Sequence, residues 1–274
     1  MYKYKIVASD LDGTLLNNKS LVSEENAKAI AELNKKGIYF VPATGRTFSE
    51  IPSFLKDNEN IRFIMHTNGA VIHDKKTGKH IRNCMDIDLA NEVFDLLTKY
   101  DVHIAVRANG NTYVDANLIS EDVAEHYGFT EAHVICINNF AIPVENFAEW
   151  MRTAINVEDF SVFFGSPEAF EDFYSHIAND KRLKTAKFPP QGLEIFSVSA
   201  GKGRALHLLA DELGFEHSDT IGVGDSLNDF TMVEAAGLGL AVSNACDALK
   251  EIADEVICSN EEHSIDYINK HYCK

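Results

Sequence analysis

The stretch Lys5-Ile6-Val7-Ala8-Ser9-Asp10-Leu11-Asp12-Gly13-Thr14-Leu15 constrains the fold more than any other part of the chain. Its short apolar run reads as a strand buried on both faces, the kind found in parallel sheets. The run ends in two aspartates separated by one leucine, and Gly13-Thr14 turns the chain out of the strand. In open α/β sheets ligands sit outside the carboxyl ends of the strands, so this strand delivers two carboxylates to the place where such folds do chemistry. One carboxylate there can attack as a nucleophile while the other serves as acid and base, and the two can share a hard cation. A solvated turn is the plain alternative for any Asp-x-Asp. A calcium loop is excluded, because its fifth, sixth and twelfth positions want an oxygen ligand, Gly and Glu, and counting from Asp10 they hold Thr14, Leu15 and Leu21.

The rest of the chain narrows the choice. At 274 residues, 45% of them hydrophobic, it can build one large domain or a core with a smaller domain. A net charge of −17 argues against a nucleic-acid binder, which needs a basic patch, and against docking on anionic membranes. A small phosphorylated substrate stays open, because a cation and local donors overcome a distant field screened within ~10 Å. No run of ~18 apolar residues offers a spanning helix. Met1-Tyr2-Lys3-Tyr4-Lys5 leads straight into the first strand, which leaves no room for a signal peptide. Cys84, Cys136, Cys246, Cys258 and Cys273 are odd in number and widely spaced, which reads as reduced thiols in a cytoplasmic protein.

After the aspartates, Ser23 is placed as an N-cap, Ala27, Ile30, Ala31 and Leu33 follow at helical spacing, and Gly37 closes the helix. Ile38 to Val41 is the next strand, completing a β-α-β unit. It ends in Pro42-Ala43-Thr44-Gly45-Arg46, and Thr47-Phe48-Ser49-Glu50 has the capping-box form that opens a helix. Thr44 and Gly45 thus lie where a hydroxyl and backbone N–H groups can face an anion, although a capped turn fits equally well. Phe63 to His66 is a further strand ending in Thr67-Asn68-Gly69-Ala70, and residues 71–81 read as a surface hairpin.

From about Asn83 the texture changes to short strands and helices. Leu89, Val93, Leu96, Leu97 and Tyr100 share a helical face, His103 to Ala108 and Thr112 to Asp115 flank an Asn-Gly-Asn turn, and Ser166-Pro167 caps another helix. This section carries no Gly-rich loop or carboxylate pair at a strand end. It reads as an inserted α+β domain over 84–188, with residues 1–83 and 189–274 forming the core, and Leu193 to Phe196 resuming the core sheet. Lys202 then falls in the first turn of a helix, where a cation opposes the helix dipole and so points to an anionic partner. Thr220 to Gly224 is a strand ending in Asp225-Ser226-Leu227-Asn228-Asp229, a second cluster of oxygen ligands at a strand end. Asp10, Asp12 and Asp225 together would repel one another unless a cation joined them, and all-oxygen ligation points to Mg²⁺ rather than zinc. A carboxylate nucleophile, a hard cation and the anion donors Thr44, Lys202 and Asn228 suggest phosphoryl transfer.

These motifs, Asp10-Leu-Asp12-Gly13-Thr14-Leu15, Thr44-Gly45-Arg46, Lys202 and Gly224-Asp225-Ser-Leu-Asn228-Asp229, resemble in order and spacing the four motifs of the haloacid dehalogenase-like hydrolase superfamily. The long insert, Thr67-Asn68-Gly69-Ala70 and Ser243-Asn244-Ala245 resemble its Cof-type, subfamily IIB phosphatases. The resemblance implies an α/β fold with a Rossmann-like parallel-sheet core and an inserted α+β cap that chooses the substrate. It implies that Asp10 attacks phosphorus and binds Mg²⁺, and that Asp12 protonates the leaving alcohol, then activates water, with its backbone carbonyl on the metal. By the same resemblance the N–H groups of Leu11 and Gly45, with Thr44, Lys202 and Asn228, hold the phosphoryl oxygens. Asp225 completes the metal ligands with Asp229 behind it, and Arg46 and Asn68 are candidates for touching the substrate or the cap. The expected activity is a Mg²⁺-dependent phosphatase of small phosphorylated metabolites, sugar phosphates first. The alternatives are a phosphomutase and a non-catalytic phospho-ligand sensor. The sequence names no protein partner. Two departures stand out: Pro42 removes a backbone donor and signals a local distortion, and Glu262-His263-Ser264 replaces an Asp-Gly turn.

Overall fold

The computed structural model describes residues 2–274, so Met1 lies outside the described residues. In chain order the strands are β1 (Ile6–Ser9), β2 (Tyr39–Pro42), β3 (Phe63–His66), β4 (Val71–Asp74), β5 (His80–Arg82), β6 (Val102–Ala108), β7 (Asn111–Asp115), β8 (Ala141–Val144), β9 (Val157–Phe164), β10 (Leu183–Phe188), β11 (Gly192–Ser197), β12 (Thr220–Gly224), β13 (Leu238–Val242) and β14 (Glu255–Ile257). The chain divides into two compact units, one of residues 1–45, 52–81 and 200–274, the other of residues 46–51 and 82–199.

The first unit is built on a parallel sheet in the order β14-β13-β12-β1-β2. Every residue of β1 and of β12 is buried, as the unbroken apolar run requires. Ile6 and Ala8 share one cluster with Leu206, Leu209 and Met232 from the helices Lys202–Leu213 and Phe230–Ala235. Helix Glu24–Lys35 has the expected Ser23 cap and packs on helix Ser264–His271. Asn26, fully buried on the first of these helices, accepts from Ile265 N–H and Asp266 N–H and so satisfies the open end of the second. Successive strands run outward from β1 on one side and from β12 on the other. Their shared carboxyl end is therefore the point of order reversal, where such sheets bind ligands.

Pro42 does not distort β2. Tyr39 N–H donates to Lys5 O, just before β1, and Ala43 N–H to Ser9 O at its end, so the alternation turns residue 42 away from that neighbour, and the register holds to the Ser9–Pro42 pair. His263 takes the left-handed conformation, φ 64° and ψ 61°, that a glycine would supply in an Asp-Gly turn, and its ring meets Ser23 Oγ at 2.9 Å.

The second unit holds a six-stranded sheet in the order β10-β11-β9-β6-β7-β8, antiparallel except for the parallel β7–β8 pair. One face buries Ile104, Val106, Phe160, Val162, Leu193 and Ile195 against the helices Ile87–Leu97, Phe147–Thr153 and Pro167–Ile177. Here one sequence expectation is corrected. Leu193 to Phe196 does not resume the parallel core sheet. It lies in β11, antiparallel between β9 and β10, and the chain returns to the first unit at Ala200. The reason is visible in the residues, since buried Leu193 and Ile195 alternate with the polar Glu194, a two-faced pattern unlike β1. A second correction concerns Thr47 to Glu50, which forms a turn. Thr47 N–H donates to Glu50 Oε2 at 3.0 Å as a capping box would, but Pro52 itself is extended, with ψ 138°, and the helix is only Ser53–Lys56.

Among the described residues no helix is long and apolar enough to cross a membrane, and all five cysteines are free thiols.

Candidate active site

Asp10 follows β1 directly, its N–H donating to Val223 O of β12 at 3.0 Å, and Asp225 follows β12. The parallel register therefore sets the two carboxylates side by side. Asp229 joins them through the tight turn of residues 226–229, and one carboxylate oxygen from each of Asp10, Asp225 and Asp229 lies within 4.8 Å of the others. Into this cluster Lys202 projects its ammonium, 2.6 Å from Asp10 Oδ1 and 2.6 Å from Asp229 Oδ1, with the residue only 1% exposed. The anionic partner that a lysine in the first helical turn called for includes these two aspartates.

The roles within the cluster differ by how each oxygen is used. Asp229 Oδ2 accepts from Asp225 N–H at 3.0 Å and Ser226 N–H at 3.1 Å, while Oδ1 takes the lysine, so its capacity is spent inside the protein. Asp225 Oδ1 accepts from Thr14 Oγ1 at 3.1 Å. Gly13 is needed beside it: φ is +79°, and a Cβ there would stand 2.7 Å from Asp225 Oδ2. Burial holds the Asp10 carboxyl well above the usual carboxylate range, against the pull of Lys202 and with the help of Asp229. Burial, then Asp229, pushes Asp225 up to about 6. Burial alone would lower the Lys202 pKa, but Asp10 and Asp229 outweigh it and hold the ammonium charged. Three carboxylates around one ammonium are an oxygen-only, over-negative set, which a hard divalent cation fits.

Asp12 lies one residue beyond Leu11, exposed on the loop, and its carboxylate is not one of the three. Leu11 is fully buried. Thr44 is buried, its N–H donating to Met65 O and its carbonyl accepting from Asn68 N–H, both at 3.0 Å. Asn68, in the left-handed region at φ 50°, accepts from Asn228 Nδ2 at 3.2 Å, and Ser226 Oγ donates to Asn228 Oδ1. Both amides face Gly45, where a Cβ would stand 3.1 Å from Asn68 Oδ1. Thr44, Gly45, Asn68 and Asn228 are thus drawn together as a group of donors. Arg46 falls in the second unit, where its Nη1 donates to Glu50 O at 3.3 Å. Two residues with parts here had no assigned role in the sequence reading. Thr14 sat inside the first motif, and Asn244, whose Nδ2 donates to Gly13 O at 2.8 Å, sat inside Ser243-Asn244-Ala245.

A family described as haloacid dehalogenase-like hydrolase matches residues 7–268. Phosphatase YwpJ of Bacillus subtilis (strain 168) is 32% identical over 288 residues, covering 97% of this chain and 99% of that protein. The 5-amino-6-(5-phospho-D-ribitylamino)uracil phosphatase YcsE of the same organism is 28% identical over 268 residues, covering 98% and 95%. Among solved structures, a haloacid dehalogenase-like hydrolase from B. subtilis superposes with a TM-score of 0.79 at 30% identity, covering 97% of this chain and 99% of that one.

Proposed function

We propose, for a chain that belongs to the haloacid dehalogenase-like hydrolases in their Cof-type branch and is a phosphatase, that it hydrolyses small phosphorylated metabolites, sugar phosphates first, through an aspartyl-phosphate on Asp10. The observation that carries this reading is the buried Asp10 carboxylate at the end of β1, gripped by Lys202 and crowded by Asp225 and Asp229. The lysine bond on Oδ1 holds the direction of the Asp10 side chain, and the reading gives the attack to Oδ2.

In the first step Asp10 Oδ2 bonds to phosphorus as the bond from phosphorus to the leaving oxygen breaks, and the Asp12 carboxyl gives that oxygen its proton. In the second, Asp12, now a carboxylate, takes a proton from water. The water oxygen bonds to phosphorus, the Asp10–phosphorus bond breaks, and inorganic phosphate leaves with both aspartates restored. The Leu11 and Gly45 N–H groups, Thr44, Lys202 and Asn228 hold the phosphoryl oxygens in this reading. Asp10, Asp225 and the Asp12 carbonyl would hold Mg²⁺, with Asp229 orienting its neighbours through the hydrogen bonds described. Bound there, the cation supplies charge neutralisation for the phosphoryl group. Arg46 and Asn68 are candidate contacts with the leaving group. The phosphorylated ribityl chain in the name of YcsE supports a polyhydroxylated substrate. The free cysteines suit the cytoplasm.

The test is phosphate release from sugar phosphates, a ribityl phosphate, nucleotides and p-nitrophenyl phosphate, with Mg²⁺, with chelator, and in Asp10→Asn. The expected result is release that requires Mg²⁺ and is lost in the variant, with the polyhydroxylated esters ranked first. No release from any ester by folded protein in Mg²⁺ overturns the reading.

A further inference from the structure

Three backbone carbonyls of the loop that carries Asp12 are held by side chains from one distant stretch. Asn244 Nδ2 donates to Gly13 O at 2.8 Å, Ser264 Oγ to Thr14 O at 2.8 Å, and Asn260 Nδ2 to Leu16 O at 3.0 Å. Ser264 and Asn260 are buried and serve the inner part of the loop. Asn244 is different: it is exposed, and the carbonyl it grips belongs to the residue next to Asp12. It is braced on both sides. Its Oδ1 accepts from Asn260 N–H at 3.0 Å, and just beyond it Cys246 N–H donates to Asp225 O at 2.8 Å. An exposed hydrogen bond trades with water and adds little to stability. This one holds the peptide plane between Gly13 and Thr14, one residue beyond Asp12, at the point where Gly13 takes its left-handed φ of +79°.

We infer that Asn244 is a positioning residue for Asp12, holding the proton donor in line with the leaving oxygen. The inference rests on the reading of Asp12 as acid and base given above. Where a donor is in place, the rate of the first step depends only weakly on the basicity of the leaving alcohol. Where it is displaced, poor leaving groups suffer most.

The experiment follows leaving-group release in the first turnover across monoesters from p-nitrophenyl phosphate to sugar phosphates. The proteins are wild type, Asp12→Ala, Asn244→Ala and Asn244→Asp, all in saturating Mg²⁺. Asn244→Asp keeps the acceptor for Asn260 N–H and sets a carboxylate oxygen, which repels, where the donor to Gly13 O stood, so it retains that one side of the brace if the alanine variant folds poorly. Asp12→Ala is expected to steepen the leaving-group dependence. Both Asn244 variants should follow it, losing about 10–100-fold on the sugar esters and under about 3-fold on p-nitrophenyl phosphate. Amide exchange at Thr14, Leu15 and Leu16 should quicken while β1 keeps its protection. A steep Asp12→Ala slope with a wild-type slope in both Asn244 variants overturns the inference and leaves the Asp12 reading standing, whether or not overall activity falls. Unchanged exchange at Thr14 to Leu16 overturns it too. A wild-type slope in Asp12→Ala overturns the Asp12 reading, and the inference with it.

Discussion

Lys202 keeps its charge at 1% exposure, where an unpaired ammonium costs several kcal/mol. Two carboxylates at 2.6 Å offset that cost, and the three groups stand or fall together. Lys202→Met should therefore lower stability by about 3–5 kcal/mol, because Asp10 and Asp229 are left buried without the cation that offsets their charge. Urea denaturation in chelator at pH 7 checks this, and a midpoint equal to wild type would refute it. His103 makes the opposite case, a buried group that folds neutral. Its Nε2 meets Leu118 O at 3.1 Å, its Nδ1 has no hydrogen-bond partner, Tyr127 and Phe129 flank the ring, and burial pushes its pKa down to about 4. The unfolded chain takes up this proton near pH 6.5, so its contribution is full above that pH and is lost as the pH falls toward 4, by about 3 kcal/mol. His103→Gln should flatten the fall in urea midpoint between pH 7.5 and pH 4.5. Asp10, Lys202 and Asn228 stand out in the sequence because they are polar or charged residues at strand ends and helix starts, and the contacts of Asp10 with Lys202 and of Asn228 with Asn68 fall among them. The bond from Asn244 to Gly13 does not, since a side chain meeting a carbonyl 231 residues away leaves no local pattern.

At the scale of elements, the parallel strands were legible from unbroken apolar runs, and helices Glu24–Lys35 and Pro167–Ile177 from their serine caps. The two errors share a cause, because local pattern and tertiary setting disagreed. Thr47 to Glu50 has the side chains of a helix start, but Pro52 stops the helix and Glu50 is drawn off to Thr112, whose Oγ1 donates to it at 2.9 Å. β11 has enough apolar residues for a core strand, and only its alternation reveals the polar face it presents beside β9. Asn26 could not be read at all. A buried asparagine in a helix looks like a polar error until the second helix needs capping. Asn26→Ala leaves Ile265 N–H and Asp266 N–H without that acceptor and Leu15 O without a donor. A loss of about 2–4 kcal/mol follows, with faster amide exchange confined at first to residues 264–271. An unchanged melting temperature would refute the capping role.

At the scale of the molecule, the second compact unit takes in residues 82–199, so it starts beside the change of texture near Asn83 and runs past Gly192 through β11. The chain visits the second unit twice, and the first visit is only residues 46–51. That short strap is anchored by Ser49 N–H to Gly110 O at 2.8 Å and by Glu50, which takes Thr112 Oγ1 and Cys136 Sγ on one oxygen. Arg107 lies close enough to lower the Glu50 pKa against the penalty of burial, and it binds Asp159 and Glu194 through Nη1. Glu50 is ionised in the fold below its unfolded range, so its contribution is present above about pH 4.5 and lost as the pH falls. Glu50→Ala should cost about 1–3 kcal/mol at pH 7. Exchange should quicken in β6 and β7 and stay unchanged in β1 and β12, and equal loosening of both units would refute a local anchor.

The placement of β1 beside β12 also matters during synthesis. Thr14 bonds Asp225 across 211 residues of chain, so β1 leaves the ribosome well before the strand that pairs with it on this side. At the usual ~5–20 residues per second this leaves an apolar strand with an open edge for roughly 10–40 s. A copy truncated before β12 keeps Asp10 at the end of a strand whose second edge is unpaired, the kind of open apolar edge that recruits other chains.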